Sequence, residues 1–444
     1  ADTFSYSVRG HAVKMGGGLK FVSVENRSLP QGRGAYFFAG APSDHPQPFL
    51  YTQGIAATEA QATASPKSAA LFAFAQDSWR VRPRLTLNLG LRYDLERVRN
   101  IVGFAVPADR NNLQPRLGVA WELQPARTVV RGGLGVYNQQ HLLYFINRVQ
   151  LEGAGGTSIV TLAPDSPLFP AFPNTVPASA LDAAPRDIQR LASEFRNPYS
   201  IQATAGIERV LNRGIVVGAD VVYLRGHDLM SLIDVNAPAS LQKPNTRTVA
   251  QADATRPITP VAGGVRKIIE LGNAGESWYR ALQLKLNRTT GRVQSTVSYT
   301  LARAEDQANY LLPEDSRNLA AEKGRADTDI RHNLSVGFTW QVPAVRRALN
   351  GLVLSGVASA RSGRPYTQTW GDDRNGTTQN DARPGGRNTF ETTGYQNIDL
   401  SLARQFRIRN QAIEGRIETF NLLSTVNYDQ FVGVLGDYYG LPIS

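Results

Sequence analysis

Five side chains in one short stretch have the chemistry to hold a cation. The run GDDRNGTTQNDARPG, residues 371–385, gathers Asp372, Asp373, Asn375, Asn380 and Asp381 around Gly376, which allows a tight bend. Calcium takes about six to eight hard oxygen ligands, so calcium is the cofactor these residue types suggest. The spacing only loosely follows an EF-hand loop, because the closing Glu is lacking. The other reading is an Asx-rich surface turn, where Asp and Asn side chains bond their own backbone. Catalytic chemistry has less to work with. The histidines (His11, His45, His141, His227 and His332) are far apart, with no HExxH spacing. No cysteine is present, which excludes disulfides and thiolate metal sites. No G-x-S-x-G elbow occurs, and the Gly-rich runs MGGGLKF (15–21) and RGGLGVY (131–137) lack the lysine placement of a phosphate loop. The composition therefore points away from an enzyme.

The elements that must position such groups are strands. In LTLNLGLRYDL, residues 85–95, Leu85, Leu87, Leu89, Leu91, Tyr93 and Leu95 fall on every second position. Thr86, Asn88, Gly90, Arg92 and Asp94 lie between them. A period of two gives a strand with one apolar and one polar face. The alternation recurs at 117–123, 201–207, 282–287, 293–301, 334–342 and 397–402. Mean hydropathy is −0.28, and no apolar run approaches the ~18 residues of a membrane helix. Barrel strands cross membranes without one, because they alternate.

From residue 68 the pattern predicts six hairpins: 68–80 with 85–98, 113–124 with 128–138, 198–211 with 214–228, 277–289 with 293–305, 331–342 with 351–364, and 395–408 with 411–423. Links inside hairpins are short. Links between them, 99–112, 139–197, 229–276, 306–330 and 365–394, are long. Residues 1–67 add three or four strands near 3–8, 12–27, 33–40 and 49–62, and 424–444 read as a loop. Links sorted by length to opposite ends suit a bacterial outer-membrane barrel with short periplasmic turns and long extracellular loops. A propeller would instead repeat every ~40–50 residues. The expected fold is all-β, an antiparallel transmembrane β-barrel of about 15–16 strands within residues 1–444.

On this reading the leucines of 85–95 face lipid, and Trp79, Trp121, Trp340, Tyr93 and Tyr299 sit in interfacial girdles. Parity turns Arg92, Asp94, Arg131, Glu208, Asp220, Lys285, Asp399, Glu414, Arg416 and Glu418 to the lumen, to line a solute path or pair across it. Within 139–197, PRDIQRLASEF (185–195) reads as a short helix opened by Pro185, and the Pro-rich run 164–178 as irregular. The net charge of +11 means either scattered solvated arginine or attraction to anionic partners such as lipopolysaccharide phosphates. No dense basic run or helix-turn-helix signature points to nucleic acid. The opening ADTFSYSVRG has no basic or apolar region of a signal peptide.

An ordered set of phrases carries a family resemblance: AFAQDSWRVRPRLTLNLGLRYDLE (73–96), LQPRLGVAW (113–121), RNPYSIQATAGIERVL (196–211), WYRALQLKLNR (278–288), DIRHNLSVGFTWQVP (329–343), LSGVASARSGRPYT (354–367), NIDLSLARQFRI (397–408) and IETFNLLSTVNY (417–428). Together they resemble the C-terminal barrel of TonB-dependent receptors of the Oar-like group. That resemblance implies a barrel of about 22 strands in the bacterial outer membrane, in contact with its lipid and lipopolysaccharide. It also implies a plug domain, an N-terminal segment engaging the TonB complex, and an extracellular ligand. None of the plug or TonB-contacting pattern is found in these residues, and DYYGLPIS follows a loop rather than a terminal strand. The expectation is thus a partial barrel truncated at both ends. Two other roles fit the same residues, a structural barrel in a surface or secretion complex and a plugless porin-like channel.

Overall fold

The computed structural model describes residues 1–38, 47–123, 127–141, 143–307, 311–343, 350–379, 383–408 and 411–443. Its frame is a wall of antiparallel strands: β1 (Asp2–Val8), β2 (His11–Ser23), β3 (Lys67–Arg82), β4 (Leu85–Arg99), β5 (Leu113–Leu123), β6 (Thr128–Asn138), β7 (Tyr199–Val210), β8 (Ile215–Asp234), β9 (Val265–Arg288), β10 (Val293–Asp306), β11 (His332–Gln341), β12 (Leu352–Arg361), β13 (Tyr395–Ile408) and β14 (Gln411–Thr419). Each pairs with the next in chain order. Among the described residues β1 pairs only with β2, and β14 only with β13. The six hairpins expected from residue 68 are all present, and β1–β2 adds another. Left-handed glycines such as Gly10 (φ 88°) and Gly291 (φ 85°) close two of the tight turns.

Register fixes the faces. Leu85, Leu87, Leu89, Leu91 and Tyr93 stand opposite Trp121, Val119, Leu117, Pro115 and Leu113. Further along the wall, Leu284, Tyr299 and Leu334 lie in one row. These side chains are open to the surroundings, with Leu89 44% and Leu117 52% exposed. In water so continuous an apolar face would be a liability; in lipid it is the required solvent. No described helix is long and apolar enough to cross a membrane, which says nothing against crossing by strands. Trp79, Trp121 and Trp340 lie toward the short-turn end of this face, whereas Tyr93 and Tyr299 lie nearer the other end.

The buried apolar clusters lie outside the wall's membrane-crossing stretch. Phe145, Ile146, Val149 and Phe195 of the 139–198 link pack with Met230, Leu232, Ile269 and Leu271, where β8 and β9 overrun the other strands. Val98, Ile101, Phe104 and Val106 lean on the same cluster. A second cluster joins Tyr51 with Val160, Leu162, Val176 and Leu181. β8 and β9 are 20 and 24 residues long, well beyond the ~9–11 a tilted strand needs to span lipid. The excess carries the loops.

Two expectations are corrected. Among the described residues of 1–66, only those of β1 and β2 enter the wall; Ala35–Phe37 and Leu50–Ile55 pair with each other and with Ser158–Leu162 in the loops instead. Residues 39 and 40 of the expected 33–40 strand lie outside the described residues. The helix expected at 185–195 is a strand, Arg186–Leu191. It runs parallel to the start of β9 and antiparallel to Ser158–Leu162. Two ladders and the bond from Lys267 N–H to the Asp187 carboxylate (3.2 Å) outweigh a helical preference. Pro185 can precede a strand as readily as a helix. The longer of the two described helices in this link is Leu143–Leu151, whose Leu143, Phe145, Ile146 and Val149 are buried; the other is the single turn Ala178–Leu181.

Leu89→Arg on the apolar face is expected to destabilise the protein in lipid vesicles by about 2–4 kcal/mol, against under about 1 for Asn88→Arg beside it. Urea titration of the vesicle-inserted protein reads the difference, and equal costs would reject the assignment of faces.

Candidate functional site

The ten charged residues picked out by parity share the face opposite the leucines, as the register carried from strand to strand requires. Four of them form one network. Arg131 on β6 reaches Asp220 on β8, two strands away, at 2.7 Å. Gly206 of β7 lies between them, and a Cβ there would run into the Asp220 carboxylate. The same device repeats one step along. Lys285 on β9 pairs with Glu208 on β7 across Gly218, and Glu208 stands 3.8 Å from Arg131. Glycine removes the intervening side chain, so second-neighbour strands can pair. Elsewhere Arg92 bonds Asp94 (2.8 Å), and Gln114 donates to the same carboxylate. Arg416 pairs with Glu414 (2.6 Å) and Glu418 (3.5 Å). Asp399 accepts from Asn397 Nδ2 (2.9 Å) and the Asn421 N–H (2.8 Å).

The polar face also anchors a loop. Buried Glu96, near the end of β4, accepts from Ser68 Oγ (2.5 Å), the His141 N–H (2.8 Å) and pairs with His141 Nδ1 (3.1 Å). The His141 ring stacks on Phe195, 4.9 Å between centroids. Lys20 Nζ donates to Gln140 (3.3 Å) and Asn26 Nδ2 to Asn147 (2.9 Å). Since Glu96 lies on the same face as Arg92 and Asp94, the 139–198 link is tied to the polar side of the wall.

Three other links enclose a cavity of about 410 Å³. Pro238, Gln242, Lys243 and Arg247 come from one, Glu314, Asp315 and Glu322 from the next, and Trp370, Arg374, Asn375 and Arg383 from the last. Arg383 is buried and doubly paired, to Glu314 (2.7 Å) and Glu322 (2.6 Å), and Lys243 also reaches Glu314 (3.1 Å). Burial alone would lower the Arg383 pKa, but these carboxylates raise it. Arg374 lies 3.8 Å over the Trp370 ring, and Arg247 Nε donates to the Asn375 carbonyl (2.6 Å). Burial and nearby Arg256 lower the Arg247 pKa. The cavity thus offers an aromatic plane, cationic edges and amide groups, a set suited to a polar ligand carrying anionic or planar groups. None of Arg247, Glu314, Trp370 or Arg383 was singled out from sequence. Glu314 and Arg383 are 69 positions apart, and no local pattern announces such a meeting.

The oxygen-rich loop lies at the edge of this cavity, with its donors engaged. Asp373 accepts from the N–H groups of Thr377 (2.9 Å) and Thr378 (2.7 Å). Asp372 pairs with Arg374 (3.0 Å), and Asn375 Oδ1 accepts from Thr377 N–H (3.0 Å) and Oγ1 (2.5 Å). Asn380 and Asp381 lie outside the described residues. Among the described residues no three His, Cys, Asp or Glu side chains gather as a metal site.

Residues 1–102 and 103–385 match the family described as outer membrane beta barrel domain. A search of curated sequences finds no match. Solved structures share the fold at low identity. The outer membrane transporter YddB from Escherichia coli is 12% identical with a TM-score of 0.51, covering 95% of this chain and 49% of that one. The FrpB iron transporter from Neisseria meningitidis gives 12% and 0.52, with 90% and 47% covered. The ferric enterobactin receptor PfeA from Pseudomonas aeruginosa gives 14% and 0.54, with 97% and 49% covered. This chain therefore spans about half the length of the structures it matches.

Two outcomes follow from the geometry. Gly206→Val should cost about 1–3 kcal/mol by overpacking, more than the under about 1 kcal/mol expected for Arg131→Gln in a half-exposed pair; equal costs in guanidinium melts would deny the glycine gap its role. Burial raises the Asp373 pKa, opposed by the Thr378 and Thr377 N–H groups. Folded, the carboxyl then holds its proton more tightly than unfolded, so its contribution to stability falls as pH rises from its ordinary value through the raised one. Amide-exchange protection at 373–378 should gain on acidification across that window, and Asp373→Asn should remove the gain.

Proposed function

Because the chain belongs to the outer membrane beta barrel domain family and resides in the bacterial outer membrane, we propose that it forms the barrel portion of a TonB-dependent receptor of the Oar-like group. Its extracellular loops capture a ligand, and the receptor as a whole passes that ligand inward by coupling to the TonB complex. The observation that carries this reading is the cap. The long links are not slack connectors but a folded body with buried apolar clusters and a 410 Å³ polar cavity. A simple pore needs no such body. The ten charged side chains of the polar face line the lumen below it, where they guide a solute or hold a plug.

PfeA and the ferripyoverdine receptor of Pseudomonas aeruginosa carry in their names iron complexes of organic chelators. Anionic ferric chelates of that class are the first ligands to test, since Arg247 and Arg374 with Trp370 offer charge and a stacking plane. Tryptophan emission of the detergent-purified protein should quench saturably with one such chelate, and Arg247→Ala should weaken that binding about tenfold or more, as loss of a charge-assisted bond implies. No saturable quenching across catecholate and hydroxamate chelates, together with a steady ohmic conductance in planar bilayers, would replace this reading with a porin-like channel.

A further inference from the structure

The excess positive charge is not where the ligand-binding cap is. In the long links Asp and Glu slightly outnumber Lys and Arg. Part of the surplus lies on the strands at the short-turn end, and some of that points outward. Arg82, Arg209 and Arg288 end or nearly end their strands, Arg404 stands opposite Leu352 at the start of β12, and all four share a face with the leucines: Arg82 opposite Leu85, Arg209 beyond Ile207, Arg288 beyond Leu286, and Arg404 beyond Leu402. Around them on this face are Trp79, Trp121, Trp340 and Phe406, with Arg404 4.9 Å over the Phe406 ring. Arg82 and Arg209 are exposed, and among the described residues no carboxylate pairs with Arg82, Arg209 or Arg288. The acid on this face at this end, Asp77, is held by His11 at 2.6 Å, and the His11 ring stacks on Trp79.

Short turns mark the periplasmic end of an outer-membrane barrel, and aromatic rings there mark the depth of the lipid head groups. Arginines at that depth extend their stems along the hydrocarbon and place their guanidiniums among phosphates. We propose that these four arginines form a basic collar that selects anionic phospholipid, phosphatidylglycerol in type, for the shell of periplasmic-leaflet lipid around the barrel. The inference needs only the barrel and its orientation, and stands apart from ligand transport.

The test uses the full chain in phosphatidylcholine vesicles carrying a minor fraction of lipid brominated near the head of its acyl chain. Trp278→Phe and Trp370→Phe leave Trp79, Trp121 and Trp340 of the five tryptophans as reporters. Brominated phosphatidylglycerol should occupy the shell about fivefold more tightly than brominated phosphatidylcholine, the factor for one arginine near a charged head group. The preference should approach parity when all four arginines become Gln, or at about 1 M salt, where charges a few ångströms apart are screened. Changing all four to Lys should keep it. A heat-shift gel confirms the barrel in each variant; should the Gln set not fold, Arg288→Gln and the salt series read the same effect. Equal quenching by both lipids in the parent, a preference that survives Gln, or stronger occupancy by lipid A would each overturn the proposal.

Discussion

The inter-strand hydrogen-bond ladder is the constraint on which the rest of the molecule depends. In hydrocarbon an unpaired N–H or C=O has no water to turn to, so a spanning sheet must pair strand with strand along its length. Once the ladder is fixed, side chains alternate, and each strand must satisfy two solvents. One face is given to lipid, as in the Leu85–Leu91 rows with their partners on β5. The other face is free to carry charge. A wall with lipid on one side cannot bury its leucines against one another, so the packed core moves elsewhere.

That core forms in the links. Apolar side chains from several loops converge on the overrun of β8 and β9, and a chain of ion pairs fastens the same region. Asp234 of β8 holds Arg256 (2.8 Å), Arg256 holds Asp253 (2.7 Å), and Asp253 holds Arg266 of β9 (3.0 Å). Arg256 also donates to the Asn236 carbonyl and Arg266 to that of Thr161. Buried charges of this kind add little net stability over an apolar replacement. They do impose a single geometry, because a misplaced loop would leave several of them unpartnered. The cavity between the adjacent links inherits that rigidity, which a binding surface needs to keep its shape without ligand.

How much of this could be read in the residues depended on locality. Period-two alternation is a property of neighbouring positions, so the strands, the hairpins from residue 68 and the face of each charged residue followed from spacing. The glycine gaps under Arg131–Asp220 and Lys285–Glu208 were half visible: the glycines and charges could be seen, but their alignment needed the register. The loops were the opaque part. PRDIQRLASEF suits a helix in isolation and becomes a strand because Ser158–Leu162 and β9 offer it two ladders. The acidic loop at 371 was noticed for its oxygens, yet Asp373 and Asn375 spend theirs on the loop's own N–H groups. The cavity was missed outright, since Arg247, Glu314 and Arg383 meet only through long-range packing.

The central claim is that β4 presents its odd positions to lipid and its even positions to water, and the absence of native cysteine makes it directly measurable. Single substitutions to Cys at each position from Leu85 to Leu95, in protein inserted into vesicles, would be reacted with a membrane-impermeant maleimide and, separately, with a lipid-dissolved maleimide. Modification should alternate with a period of two: Asn88, Gly90 and Arg92 modified from water, Leu87, Leu89 and Leu91 modified only from lipid. Uniform modification from water along the stretch, or the opposite phase, would contradict it.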